Sequence, residues 1–281
     1  MPSKYIHKHL SSCTGLHPFL YAKALILLQL ILSIILFQGC SFFAPRPKPH
    51  ALISETDIEN IVKKVKEQDS VVSSFYFTGT ISVTGWAWDT SADILIAGIK
   101  NPFMLKIEIT HSWGGPLFYF LIKNGELEIR DFGDKKQYVG KFTAANLSRF
   151  LPNMDCSHDM IWSFLRGYPD LPPHTRIYEG NPGTVNIEGR DKMILGTITF
   201  SPGEGIKEAS SFPPRFLGMK FSAFKKKGDI YYAESTVVEN IKGRKDMTIK
   251  RKQIFFNRDI PDALFTLKNR PYFEVVNLDD M

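Results

Sequence analysis

Three cysteines in 281 residues leave this chain almost without sulfur chemistry. Cys13, Cys40 and Cys156 are too few and too widely spaced for a disulfide framework or a Cys-pair zinc site. Cys156, standing alone, fits a small buried hydrophobe better than a reactive thiol. Histidine gives no metal signal either: His50, His111, His158 and His174 lie far apart, without His-Glu-x-x-His spacing. No glycine-rich loop is placed to cradle a phosphate. The one cluster of catalytic residue types, Asp155-Cys156-Ser157-His158-Asp159, is contiguous, and contiguous side chains diverge instead of converging on a reacting atom. Asp155 or Ser157 is better placed to cap a helix starting near His158. These absences predict a protein that is not an enzyme and uses no cofactor and no metal. Charge excess is also small. The formal net charge is +6, and residues 1–39 hold three lysines and no acid, so the remainder carries +3. That near balance offers no basic stripe, and no nucleic-acid partner is expected.

Long apolar runs are limited to one. Ala24 to Cys40, ALILLQLILSIILFQGC, follows a positive flank (Lys4, Lys8, Lys23) and is short for a membrane span, the pattern of a secretory signal. Its end, Phe37-Gln38-Gly39-Cys40, resembles the lipobox of bacterial lipoproteins, with Phe37 where that family usually has Leu. The resemblance implies a signal peptide over 1–39, lipid attachment (palmitate-type acyl chains) at Cys40, a lipidated N-terminus and tether over 40–53, and one domain over 54–281. An uncleaved anchor over Phe19 to Phe37, with Lys23 snorkelling toward the headgroups, is the competing reading. Both place the domain outside the cytoplasm at a membrane. Pro45, Pro47 and Pro49, alternating with Arg46, Lys48 and His50, predict an extended, mobile spacer.

From Ser54 the apolar period is helical, with Ile58, Ile61, Val62 and Val65 in one stripe behind a capped, acidic first turn. From Val71 the period becomes two, with Phe75, Phe77, Gly79, Ile81 and Val83 on one face. Strand patterns follow at Ala92 to Ile99, Phe103 to Ile109, Leu117 to Lys123 and Glu126 to Arg130. The joints are short, among them the hairpin signal Asn124-Gly125, so neighbouring strands should pair antiparallel as a meander. Two short helices, Thr143 to Leu151 and His158 to Leu165, interrupt it. The second is so apolar that it is either buried or closes an apolar opening. Strand patterns resume at Arg176 to Glu179, Thr184 to Glu188, Ile194 to Phe200, Phe216 to Phe224, Asp229 to Ile241 and Met247 to Phe256, and the two β-rich halves can pair along one sheet. A helical turn after Ile260 and a strand through Val276 end the chain.

Four short motifs within residues 55–256 resemble the LolA/LolB-like lipoprotein-localisation proteins, particularly the outer-membrane receptor. They are Phe77-Thr78-Gly79-Thr80-Ile81, Trp113-Gly114-Gly115-Pro116, Tyr138-Val139-Gly140 and Trp162-Ser163-Phe164-Leu165-Arg166-Gly167-Tyr168-Pro169. The resemblance implies a mainly β fold, an open, curved antiparallel sheet or incomplete β-barrel capped by α-helices, with acyl chains bound in its apolar hollow. It implies an envelope lipoprotein at the outer membrane facing the periplasm, with lipoproteins or a periplasmic lipoprotein carrier as partners. Carried onto this chain, the cavity would be lined by Phe75, Phe77, Phe103, Leu105, Phe118 and Phe120, and closed by Ile161, Trp162, Phe164 and Leu165. Trp113 and Leu117 would touch membrane or partner. The segment after Ile260 has no counterpart in that pattern.

Alternation is the same whether the space between sheet and helices is filled or hollow, so an ordinary core and a ligand cavity both fit the twenty-two phenylalanines. Two functions therefore stand: a carrier or acceptor of acyl chains, and a structural envelope lipoprotein whose sheet docks a protein complex. Lys225-Lys226-Lys227 and Lys250-Arg251-Lys252 read as a solvated surface, or as contacts for anionic headgroups.

Overall fold

The sheet grows in both directions from its first strand. In this computed structural model, β1 (Ser74–Val83) is flanked on one side by β2 (Ser91–Ile99), β3 (Met104–Thr110), β4 (Pro116–Lys123), β5 (Glu126–Asp131) and β6 (Lys136–Lys141), each antiparallel to the last. On its other side lies β13 (Lys245–Phe256), followed outward by β12 (Ile230–Asn240), β11 (Leu217–Lys227), β10 (Gly205–Ser211), β9 (Ile194–Ser201), β8 (Thr184–Glu188) and β7 (Arg176–Glu179). Two meanders thus meet at the β1–β13 seam, as the two β-rich halves of the sequence allowed. The final strand, β14 (Glu274–Asn277), adds to β6 in parallel, so β14 and β7 are the free edges of a curved, unclosed sheet. The described residues are Gln29, 54–84, 91–150, 157–201, 205–211, 217–240, 245–268 and 271–281. The expected signal peptide over 1–39, the expected tether over 40–53 with Cys40, and Asp155 and Cys156 lie outside them. Among them no helix is long and apolar enough to cross a membrane.

Period-two patterning assigns the faces. Phe77 opposes Ile96 and Ile254, and the same rung continues through Ile107, Phe120 and Ile129 to Tyr138. This inner face meets three helices: α1 (Glu55–Ser70), α2 (Ala144–Ser148) and α3 (His158–Arg166). Helix α1 is capped by the Ser54 hydroxyl, which accepts from the Asp57 amide at 3.1 Å, and buries Val65. The Asn124-Gly125 hairpin forms as the dipeptide predicts, both residues at positive φ (56° and 76°).

The outer face has its own core, which the sequence did not disclose. Ala97, Met104 and Leu121 point outward and are covered by Ile260 and Phe265 of the C-terminal segment. That segment continues past Arg130, whose guanidinium donates to the carbonyls of Leu267 (3.4 Å) and Lys268 while pairing with Glu128 at 2.7 Å. It ends beside β6, where Asp279 Oδ1 accepts from Asn146 Nδ2 at 2.8 Å and buried Leu278 fits over Gly140. The tail is a strap that also guards an edge. Two strands carry too little apolar alternation to read as such: β6 (KQYVGK), and β10, where Ala209 is the buried residue. Phe265 is 1% exposed and fills the strap's main contact. Phe265→Ala should therefore lower unfolding free energy by about 3 kcal/mol or more, measured by chemical denaturation.

Candidate functional site

Helix α3 is the piece the concave face is built around. Its start is fixed by Ser157, whose hydroxyl accepts from the Met160 amide at 3.2 Å, the cap that the sequence left open between Asp155 and Ser157. Its end is fixed by Gly167 at φ +80°, with the amides of Gly167 and Tyr168 both donating to the Ser163 carbonyl. A side chain at 167 would be strained in that conformation and would also meet the Arg251 guanidinium at 2.7 Å. Nine residues between these stops present Ile161, Trp162, Phe164 and Leu165, each under 7% exposed, to the sheet. Trp162 lies 4.8 Å from the Phe75 ring, and a Cβ on Gly98 would strike both rings, so that glycine makes room for the helix to seat.

The structure brings the proposed cavity residues into one cluster and packs them against each other. Phe75, Phe77, Leu105 and Phe120 are buried under the α3 residues, while Phe103 and Phe118 are half-buried at its margin. Phe103 and Phe142 both meet the His158 ring edge-on at 4.7 Å, at the start of α3. These phenylalanines and Leu105 all belong to, or pack against, the buried cluster that α3 joins. Trp113 stands apart, 77% exposed at the tip of the β3–β4 turn, stacked on His111 at 4.7 Å, with Leu117 half-buried just below.

Arg251 is the correction to the surface reading of Lys250-Arg251-Lys252. Lys250 and Lys252 face solvent, but Arg251 is 2% exposed on the inner face. Its guanidinium donates to the carbonyls of Phe164 (2.6 Å) and Leu165 (2.8 and 3.1 Å), to the Ala233 carbonyl (3.0 Å) and to the Thr236 hydroxyl (2.7 Å), and lies 5.1 Å above the Phe77 ring. No carboxylate is among these partners. Burial pulls its pKa down to about 9, so it remains charged at neutral pH. The last-turn carbonyls of α3 supply the negative end of the helix dipole in place of a counterion. The signal for this in the sequence was alternation itself. Met247, Ile249 and Arg251 share a face, and a bulge opposite Thr78 and Gly79 then moves Ile254 onto it.

A second arginine ties α3 to α1. Arg166, fully buried, pairs with Asp69 at 3.2 Å, donates to the Gln68 carbonyl and sits 4.7 Å over the Tyr168 ring. Burial lowers its pKa to about 10, partly offset by Asp69, which Lys100 also contacts at 2.8 Å. Two buried donors at the plug have no hydrogen-bond partner, the Trp162 indole Nε1 and Arg166 Nε. The lysine run is mostly paired: Lys225 with Glu234 (2.8 Å) and Lys226 with Asp229 (3.2 Å), which neutralises the patch suggested for headgroups.

Solved structures share this architecture. A domain assigned to outer-membrane lipoprotein sorting in Vibrio parahaemolyticus matches at 11% identity and a TM-score of 0.48, over 73% of this chain and 94% of that one. A LolA-superfamily protein of Nitrosomonas europaea matches at 14% identity and a TM-score of 0.47, over 75% and 97% of the two chains. A DUF1329-family protein of Desulfovibrio piger matches at 10% and 0.47, over 74% and 97%. The second of these is described as a LolA-superfamily protein, the family that the sequence motifs resemble. Identities this low describe a likeness of fold, and nothing about cargo or partners follows from them. No family model and no curated protein matches the chain.

Arg251→Met would leave the α3 carbonyls of Phe164 and Leu165 without donors, at a cost of about 1 to 3 kcal/mol for each group left unsatisfied. Amide exchange in residues 158–168 should accelerate at least tenfold while that of β1, β2 and β13 stays slow. Arg251→Lys should fall between the two.

Proposed function

We propose that this protein binds acyl chains of lipids or lipoproteins on the concave face by exchanging α3 for the ligand, and acts as a non-enzymatic carrier or acceptor at a bacterial envelope membrane. The observation that carries the reading is the covering of a largely apolar concave face by a short apolar helix whose C-terminal anchor is a charge with no counterion among its described partners. Magnitudes make the exchange feasible. Four large side chains of α3 bury about 1.5 to 3 kcal/mol each. A sixteen-carbon acyl chain of about 15 methylenes contributes roughly 12 kcal/mol at about 0.8 per methylene. The ligand thus offsets what the helix gives up. The orphaned indole N–H and guanidine N–H cost about 1 to 3 kcal/mol each while α3 is seated, which brings the closed state nearer to balance.

In this reading Cys40, acylated, holds the domain at the outer membrane facing the periplasm, and Trp113 with Leu117 touches the bilayer or a delivering carrier. The second reading is a structural lipoprotein whose filled sheet docks a protein complex. It is favoured by the burial of Phe75, Phe77, Leu105 and Phe120 in one cluster.

A fluorescent fatty acid separates the two. The carrier reading expects saturable binding, faster in Arg251→Met because the clamp on α3 is gone, and abolished in Leu105→Trp with the melting temperature kept. Absence of binding in wild type and Arg251→Met, with Leu105→Trp destabilised by about 1 to 3 kcal/mol through overpacking, overturns it in favour of the structural reading.

A further inference from the structure

Strand direction sorts the turns of the sheet into two ends. β1, β3 and β5 run the same way, so the β3–β4 and β5–β6 turns share an end. Across the seam, register carries Val83 at the end of β1 through Met247, Val238, Met219, Ser211 and Gly196 to Ile187, which puts the β8–β9 turn at that end too. β14 begins there, because Glu274 pairs in parallel with Lys136. Each of these three places exposes a large apolar or aromatic side chain: Trp113 (77%), Met193 (55%) and, just before β14, Tyr272 (57%). The opposite end has polar tips, Lys100-Asn101, Asn124-Gly125 and Lys227-Gly228-Asp229, and its exposed Val71, Phe255 and Met281 lie at a helix–strand joint, on a strand and after β14, not at a hairpin turn.

Helix α1 begins near the apolar end. Its last turn is tied to the opposite one, Gln68 Nε2 donating to the Asp229 carbonyl at 2.9 Å, its sixteen residues carry it about 24 Å from there, and from Glu55 to Glu67 it shares a groove with residues 174–177. Arg176 pairs with Glu188, beside the β8–β9 turn. The chain preceding Ser54 is therefore attached at the end that carries Trp113, Met193 and Tyr272.

We infer that this end of the sheet is a lipid-contact rim, in which Trp113, Met193 and Tyr272 enter the headgroup region of a phospholipid bilayer together. The inference rests on the membrane-attached reading above and extends it from one turn to three. Trp and Tyr are the residues that favour a membrane–water interface, and methionine adds apolar contact without fixing geometry. Lys135, Arg190 and Lys192 at the same turns stand beside Asp134, Asp191 and Glu274, so charge there is balanced and the contact is interfacial, not electrostatic.

The full-length exported chain is reconstituted into phosphatidylethanolamine–phosphatidylglycerol vesicles and probed by hydroxyl-radical footprinting, with the same chain in detergent as reference. Met281, 64% exposed beyond the far end of β14, is the internal standard. Oxidation of Trp113, Met193 and Tyr272 should each fall about threefold or more relative to Met281, as expected for side chains in the headgroup layer. The fall should persist in about 0.5 M salt, where surface electrostatics are screened. Protection of Trp113 alone, or loss of protection in salt, overturns the rim. If the chain floats with vesicles while all three residues stay oxidisable, the rim fails and membrane attachment stands. If the chain does not float, attachment and rim fail together.

Discussion

A guanidinium with no carboxylate to face is the constraint on which this structure turns. Burying Arg251 costs solvation that a typical buried arginine recovers from an ion pair. Here the recovery comes from two last-turn carbonyls of α3, one carbonyl of β12 and one hydroxyl. The cation therefore requires α3 to be present, and α3 requires the cation, since its C-terminal carbonyls are otherwise buried without donors. In the proposed exchange this pairing would be given up, and water or ligand oxygens would stand in for the carbonyls.

The sheet and helix α1 have attachments of their own that do not pass through α3. The sheet is held on its outer face by the strap, through Phe265, Arg130 and Leu278. Helix α1 is attached at its C-terminal end to the β11–β12 turn by Gln68, which donates to Asp229 and accepts from the Tyr231 amide. Asp69 then offers α3 a second point of attachment through Arg166. Detaching α3 would break the Arg251 and Arg166 contacts and expose one apolar stripe. It would leave every strand pairing intact.

Much of this was readable from residues, and the failures have definite causes. The β1 alternation, the Asn124-Gly125 turn, the apolar α3 and the seam between two β-rich halves follow from local periodicity and turn chemistry, which need no tertiary information. β6 and β10 were missed because their side chains are mostly polar and their strand character comes from backbone pairing with neighbours. The strap was legible as a turn and a strand, but its parallel pairing with β6 depends on contacts between residues more than 130 positions apart. Arg251 was hidden by composition: between two exposed lysines it resembles a surface run, and alternation outweighs composition only once the inner face of β13 is known. The residues named for a cavity fall in or beside one cluster, but period two carries no information on whether the volume they enclose is filled.

That last ambiguity bears on function through an argument about cost. If the concave face were an ordinary core, a cation buried there without a carboxylate among its partners would be a costly choice of residue, even with its carbonyl partners satisfied. The same holds for Trp162, whose indole N–H has no partner where a phenylalanine would leave none unsatisfied. Both residues spend stability at the boundary between α3 and the sheet. Elsewhere on the inner face the rung through Phe77, Ile96, Ile107, Phe120 and Ile129 is aliphatic or phenyl and leaves no buried donor unpaired. Stability withheld at one internal boundary, and nowhere else on that rung, is the feature on which the proposed exchange of α3 for a ligand rests.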